Sequence, residues 1–202
     1  MSRTLEFFFD LSSPWTYLAY VNVQPVVART GAHLVYRPIL VGGVFNAVNQ
    51  GIYAAREDAG NRRMSHTLKV LHDWAALSGV PLKFPSRWHP ARSVHAMRMA
   101  TALEADPPAL HRFAGAVFES GFLREENIDD FAVLEQAANT AGLEGASLRA
   151  AAATEAVKAR LRANTDELIA RGGFGSPTWF VGGTDRYFGN DELPLVERAL
   201  RA

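Results

Sequence analysis

Apolar and polar positions alternate along the chain in a way that separates strands from helices. Thr4 to Phe9 is a short apolar and aromatic run, suited to a buried strand, and from Pro14 to Thr30 apolar residues recur at helical spacing until Gly31. Leu34 to Leu40 reads as a second strand, so strand, crossover helix and strand form a right-handed unit with parallel strands. Val41-Gly42-Gly43 then reads as the opening of a loop, and Asn46 to Asn61 is a polar, mixed stretch expected to be partly helical. Helical periodicity returns over Arg63 to Ser78, where Met64, Leu68, Leu71, Trp74, Ala75 and Leu77 form one face before Gly79-Val80-Pro81. Phe84 to Pro90 is irregular. Further helices are predicted over Ser93 to Leu103, from Pro107 to Gly121, over Phe131 to Ala141, and from Thr154 to Arg171, and the run Ala150 to Ala153 favours helix. Thr178 to Val181 is a compact apolar strand. The turn residues Gly182-Gly183-Thr184-Asp185 lead into a partner strand at Arg186 to Phe188, and a last helix is predicted from Asp191 to Ala202.

Taken as topology, a βαβ half and a ββα half flank a helical block. These are the parts of an α/β, thioredoxin-like fold with a large all-helical insertion. The thioredoxin-like domain is expected to be discontinuous, residues 1–41 and 154–202, with the helical insertion at 42–153.

Composition narrows the chemistry. Lysine plus arginine equals aspartate plus glutamate at 21 each, which gives no electrostatic reason to expect nucleic acid or an anionic membrane surface as partner. The absence of cysteine from all 202 residues removes disulfides, thiolate metal sites and dithiol redox chemistry. Any thiol used here comes from a ligand. No apolar stretch reaches the roughly 18 residues of a membrane helix, and no export signal is legible, so a cytoplasmic protein is expected. The six histidines show no zinc-ligand spacing, and no metal is expected.

The chemistry-bearing stretch is Phe7 to Tyr17. There the apolar strand stops at polar residues and a helix begins, with Ser13 in the N-cap position and Pro14 at the first helical position. Free N–H groups and the positive end of the helix dipole meet at that point, so a bound anion, including a thiolate, is stabilised. Read from the residues alone, Ser13 is better explained by helix capping than by chemistry.

The order and spacing of several motifs change that balance. Phe9-Asp10-Leu11-Ser12-Ser13-Pro14-Trp15-Thr16-Tyr17, Gly42-Gly43, Gly79-Val80-Pro81 with Phe84-Pro85, Ala96-Met97-Arg98, Gly172 to Thr178 and Phe188 to Leu193 together resemble one branch of the thioredoxin fold. That branch contains the 2-hydroxychromene-2-carboxylate isomerases and kappa-class glutathione transferases, relatives of the DsbA-type oxidoreductases. The oxidoreductases begin their first helix with Cys-Pro-x-Cys; here the tetrad is Ser13-Pro14-Trp15-Thr16.

The resemblance implies glutathione as cosubstrate and Ser13 as the catalytic residue, its hydroxyl hydrogen-bonding the glutathione sulfur. It implies a cis Ser176–Pro177 bond facing the helix start, with the backbone of Ser176 pairing with the cysteinyl unit of the tripeptide. It assigns Asn190 and Asp191 to the γ-glutamyl end, although both also suit a helix cap, and it leaves Asn46, Asn49 and Gln50 as alternatives for the polar contact after Gly42-Gly43, Asn49 being the candidate carried forward. Relatives often carry an aliphatic residue where Ser176 stands, a departure expected to be harmless because backbone groups do the binding. Arg62, Arg63 and Lys69 fit a solvated helix face. Arg92 precedes Ser93, where the isomerases commonly place an asparagine in the substrate pocket, and is the candidate for holding a substrate carboxylate. A homodimer is implied as well.

The function implied is a glutathione-dependent isomerase that interconverts 2-hydroxychromene-2-carboxylate and trans-o-hydroxybenzylidenepyruvate, a small aromatic carboxylate pair of naphthalene-type catabolism. The alternatives are a kappa-like glutathione transferase or peroxidase, and a non-catalytic thioredoxin-fold binding or chaperone-like module.

Overall fold

The structure, a computed structural model, describes residues 3–53 and 61–202. A four-stranded mixed sheet is ordered β2-β1-β3-β4. Its strands are β1 (Thr4–Phe9), β2 (His33–Pro38), β3 (Thr178–Val181) and β4 (Asp185–Phe188). β1 pairs parallel with β2 and antiparallel with β3, in a register that sets Phe7 against Trp179. The crossover between β1 and β2 is α1 (Pro14–Thr30), closed by Gly31 in the left-handed conformation with φ 65.

Because side chains alternate across a strand, Leu5, Phe7 and Phe9 join the large hydrophobic cluster on one face, and Phe8 joins a smaller one with Ile39, Val44, Leu168 and Phe180 on the other. The Phe7 and Trp179 rings stack at 4.3 Å, and both side chains are fully buried. Aromatic burial of this kind contributes about 1.5–3 kcal/mol per side chain.

The remaining helices are α2 (Val41–Val48), α3 (Arg62–Leu77), α4 (Val94–Ala102), α5 (Pro107–Phe122), α6 (Phe131–Thr140), α7 (Gly145–Ala152), α8 (Glu155–Ala170) and α9 (Leu193–Arg201). The helical segment shares the core of the sheet. Tyr17 of α1 stacks on Phe118 and Phe122 of α5 at 5.0 and 6.0 Å, and Tyr20 meets Phe118 at 5.3 Å. A polar cluster continues this contact. Tyr20 donates its hydroxyl to the His111 carbonyl at 2.9 Å and lies 3.1 Å from Nε2, while the Tyr36 hydroxyl sits 2.7 Å from Nδ1. With the Tyr20 proton committed to the carbonyl, Nε2–H of His111 is the donor to Tyr20, and a neutral ring accepts from Tyr36 at Nδ1.

Several boundaries differ from expectation. Val41-Gly42-Gly43 begins a helix rather than a loop, because the Asp10 carboxylate accepts the Val41 N–H at 2.8 Å and supplies a cap from 31 residues away. α7 extends well ahead of the alanine run. The second strand ends at Pro38, and the last helix begins at Leu193 after Glu192, so neither Asn190 nor Asp191 is its N-cap. Of the mixed stretch expected at 46–61, residues 54–60 lie outside the described residues.

Candidate functional site

The site forms where β1 ends. The Ser13 side chain caps α1 by accepting the Thr16 N–H at 3.2 Å, and its backbone is extended at φ −96, ψ 121. With Pro14 lacking an N–H and the Thr16 and Tyr17 amides bonded to Ser13, the Trp15 N–H is the first-turn donor left without a partner among the described residues. The Ser13 hydroxyl donates to the Ser176 carbonyl at 3.4 Å, a long contact at the limit of hydrogen bonding. The Ser176–Pro177 bond is cis. No described residue accepts the Ser176 N–H.

A cleft of about 340 Å³ opens beside these groups, within the usual size of ligand pockets. Trp15, Ser176 and Pro177 line it on the α1 side, Phe188, Gly189 and Asp191 at the end of the sheet, and His66, Thr67 and Val70 of α3 across from them. Gly189 has φ 90, a left-handed conformation that favours glycine.

Of the predicted residues, Ser176, Pro177 and Asp191 line the cleft, and Ser13 adjoins it through the Ser176 carbonyl. Asn190 is buried next to Asp191. Its Oδ1 accepts from Asn22 at 2.8 Å, and its Nδ2 has no partner among the described residues. Asn49 stands at the end of α2 and donates to the Phe174 carbonyl at 3.3 Å; Phe174 packs on Phe188 at 4.4 Å, so Asn49 sits one layer behind the cleft wall. Arg92 is not brought to the cleft. Its side chain is 81% exposed and lies 3.8 Å from Asp129. Its neighbour Ser93 points inward instead, donating to Asp10 at 3.0 Å. Lys69 pairs with Asp73 one turn along the exposed side of α3.

Sequence reasoning passed over His66, Thr67 and Val70, whose placement depends on how α3 crosses the sheet end, and Phe188, the last residue of β4. It also assigned no role to Asp10. The signal was present there: a lone carboxylate directly after an apolar strand. Burial pushes the Asp10 carboxyl above its ordinary range, and the donors from Ser12, Val41 and Ser93 offset this only in part. Among the described residues no three His, Asp or Glu side chains gather as metal ligands, and no helix is long and apolar enough to cross a membrane.

Known proteins share this architecture along its whole length. The family model for the DSBA-like thioredoxin domain matches residues 4–201. The 2-hydroxychromene-2-carboxylate isomerase of Sphingobium xenophagum is 31% identical over 210 residues, covering 99% of this chain and 99% of its own. Glutathione S-transferase kappa 1 of Rattus norvegicus is 27% identical over 212 residues, covering 96% of this chain and 89% of its own. A solved 2-hydroxychromene-2-carboxylate isomerase superposes with a TM-score of 0.73 at 26% identity, over 98% of this chain and 94% of that one. A probable DsbA oxidoreductase from Streptomyces coelicolor, at 18% identity and TM-score 0.74 over 98% of this chain and 88% of its own, shares the fold.

Proposed function

Since the chain belongs to the DSBA-like thioredoxin domain family, among relatives that are isomerases and glutathione transferases, we propose that it is a glutathione-dependent isomerase acting on a small aromatic carboxylate of the 2-hydroxychromene-2-carboxylate type. The observation that carries the reading is the Ser13 hydroxyl at the start of α1, opposed to the cis Ser176–Pro177 loop beside the cleft.

The residues present fit the tripeptide. The unpartnered Ser176 N–H and its carbonyl offer a strand edge for a peptide backbone. Asp191, exposed in the cleft wall, suits an ammonium, and the buried Asn190 amide next to it has a free donor. Bound glutathione would supply a thiolate that adds reversibly to the conjugated substrate, permits rotation about what had been a double bond, and leaves again.

The chain's own part is to hold negative charge on sulfur. The Ser13 proton can be re-aimed from the Ser176 carbonyl at little cost, because its resting bond is long, and the Trp15 N–H and the α1 dipole add to the attraction. Lowering a thiol from about 8.5 by about 2 units requires roughly 2.7 kcal/mol, within reach of these groups together. Thr16 stands where the oxidoreductases keep their second cysteine, and its hydroxyl bonds Ser176 Oγ at 2.8 Å. The site therefore offers donors and no redox couple.

The kappa relatives favour a second reading, a transferase that passes the same thiolate to an electrophile. Turnover with 2-hydroxychromene-2-carboxylate in the presence of catalytic glutathione separates the two. An isomerase returns the thiol, so free thiol stays constant while substrate is converted; stoichiometric thiol loss would select the transferase, and no glutathione binding by calorimetry would refute both.

A further inference from the structure

Asp10 does not line the cleft, yet the groups that face it are tied to Asp10. Its side chain is wholly buried, and its two oxygens receive four donors. Oδ1 accepts the Ser12 N–H at 2.9 Å and the Ser12 hydroxyl at 2.8 Å; Oδ2 accepts the Val41 N–H at 2.8 Å and the Ser93 hydroxyl at 3.0 Å. One donor on each oxygen is a backbone amide, which cannot turn round and accept. The arrangement therefore suits a carboxylate, with acceptor capacity on both oxygens.

The main chain of the same residue completes a closed circuit. The Asp10 N–H donates to Ser176 Oγ at 2.9 Å, and the Ser176 and Thr16 hydroxyls share a hydrogen bond at 2.8 Å. The Thr16 N–H donates to Ser13 Oγ, Ser13 Oγ donates to the Ser176 carbonyl, and the Ser13 N–H returns to the Asp10 carbonyl at 3.2 Å. One residue thus joins the end of β1, the start of α1, the cis-proline loop, the first residue of α2 and the residue preceding α4.

We propose that Asp10 is a positioning residue for the isomerase reaction, its buried carboxylate fixing the turn that sets the Ser13 hydroxyl against the Ser176 carbonyl. The inference rests on the functional reading above. Asparagine has the same size but one acceptor oxygen, so its NH₂ group must confront either the Ser12 or the Val41 amide, and the turn is released on that side. Glutamate would carry the charge one methylene too far into a site with no space.

The test uses the full chain with glutathione, comparing wild type, Asp10→Asn, Asp10→Glu and Ser93→Ala. Three quantities are measured: the glutathione dissociation constant, the pKa of the bound thiol by ultraviolet titration, and kcat and KM with 2-hydroxychromene-2-carboxylate. For Asp10→Asn we expect the bound thiol pKa to rise by about one unit and kcat to fall about tenfold or more, with the dissociation constant within about threefold of wild type. Asp10→Glu should not restore either value. Ser93→Ala, which keeps both backbone donors, should lower kcat about threefold in the same direction. An unchanged or lowered thiol pKa with unchanged kcat in Asp10→Asn overturns the proposal, and if that variant fails to fold, wild-type values in Ser93→Ala overturn it instead. Failure of the wild type to bind glutathione would refute the functional reading itself, a result separable from either of these.

Discussion

Replacing Ser13 by alanine removes two roles from one oxygen, and the structure allows them to be sized separately. As an N-cap, Ser13 Oγ accepts the Thr16 N–H at 3.2 Å, and loss of such a cap costs about 0.5–2 kcal/mol of stability. A protein of this size with an aromatic core tolerates that, so Ser13→Ala should remain folded. As a donor to a bound thiolate, the hydroxyl surrenders only a 3.4 Å contact with the Ser176 carbonyl, and a hydrogen bond to a charged group contributes about 1.5–3 kcal/mol. At 1.36 kcal/mol per unit, the pKa of bound glutathione should rise by about one to two units toward its free value. The Trp15 N–H and the helix terminus, the latter contributing about 0.3–1 kcal/mol, keep part of the shift. Turnover should therefore fall about 10- to 100-fold, while the dissociation constant changes little, because on the proposed reading the tripeptide backbone and its charged end would be held at Ser176 and Asp191. Ultraviolet difference titration of the thiolate across pH reads the shift directly. Ser12→Ala is the comparison: its hydroxyl is a donor to Asp10 at 2.8 Å, as that of Ser93 is, so its loss should lower turnover about threefold, well short of Ser13→Ala. Superimposable titration curves for wild type and Ser13→Ala would leave Ser13 a helix cap and remove it from the mechanism.

Asp191→Ala should weaken glutathione binding about tenfold or more by calorimetry without lowering the thermal midpoint, since the side chain is exposed and lines the cleft; an unchanged dissociation constant would contradict its assignment to the ammonium. Arg92→Ala should leave the KM for the carboxylate substrate within about twofold, because its guanidinium sits with Asp129; a tenfold rise would restore it as the carboxylate ligand. Burial and the nearby Arg112 hold His111 below its ordinary pKa, so the unfolded chain takes up a proton near pH ~6.5 that the folded chain takes up only at lower pH. Stability from this group is therefore fully present above that pH and lost as pH falls through it. Denaturant midpoints at about pH 7.5 and about pH 5.5 should show a larger acid loss in wild type than in His111→Gln.

The parts of the chain legible from sequence are those whose cause is local. Pro14 after Ser13, Gly31 after Thr30 and the alternation of Leu5, Phe7 and Phe9 each specify their element without help from distant residues, and the motif order was enough to identify the fold. The start of α2 was not legible, because Gly42-Gly43 looks like a loop and the cap that overrides it comes from Asp10, at the end of the neighbouring strand. The same reason explains the exchange between Arg92 and Ser93. A charged residue draws notice in a sequence, but whether it or its neighbour faces inward is decided by how α4 packs, and the buried partner of Ser93 lies 83 positions away. Ser176 illustrates a subtler gap. Its departure from an aliphatic residue looked inconsequential if only its backbone binds, whereas its hydroxyl in fact links Asp10 to Thr16.

The stack of Tyr17 and Tyr20 on Phe118 and Phe122 has a consequence for electrostatics at a distance. A helix terminus stabilises charge without reorganisation energy only if the dipoles are already aimed and cannot swing when the charge appears. α1 is held by polar contacts, Asn22 bonding Ser78 and Asn190 at 2.8 Å each, and on its apolar side by rings supplied by α5, in the helical segment. On the proposed reading, substitutions on that buried face of α5 have a route to the thiol chemistry that touches nothing in the cleft. Relatives that differ there could tune the acidity of the same borrowed sulfur while keeping every residue around it.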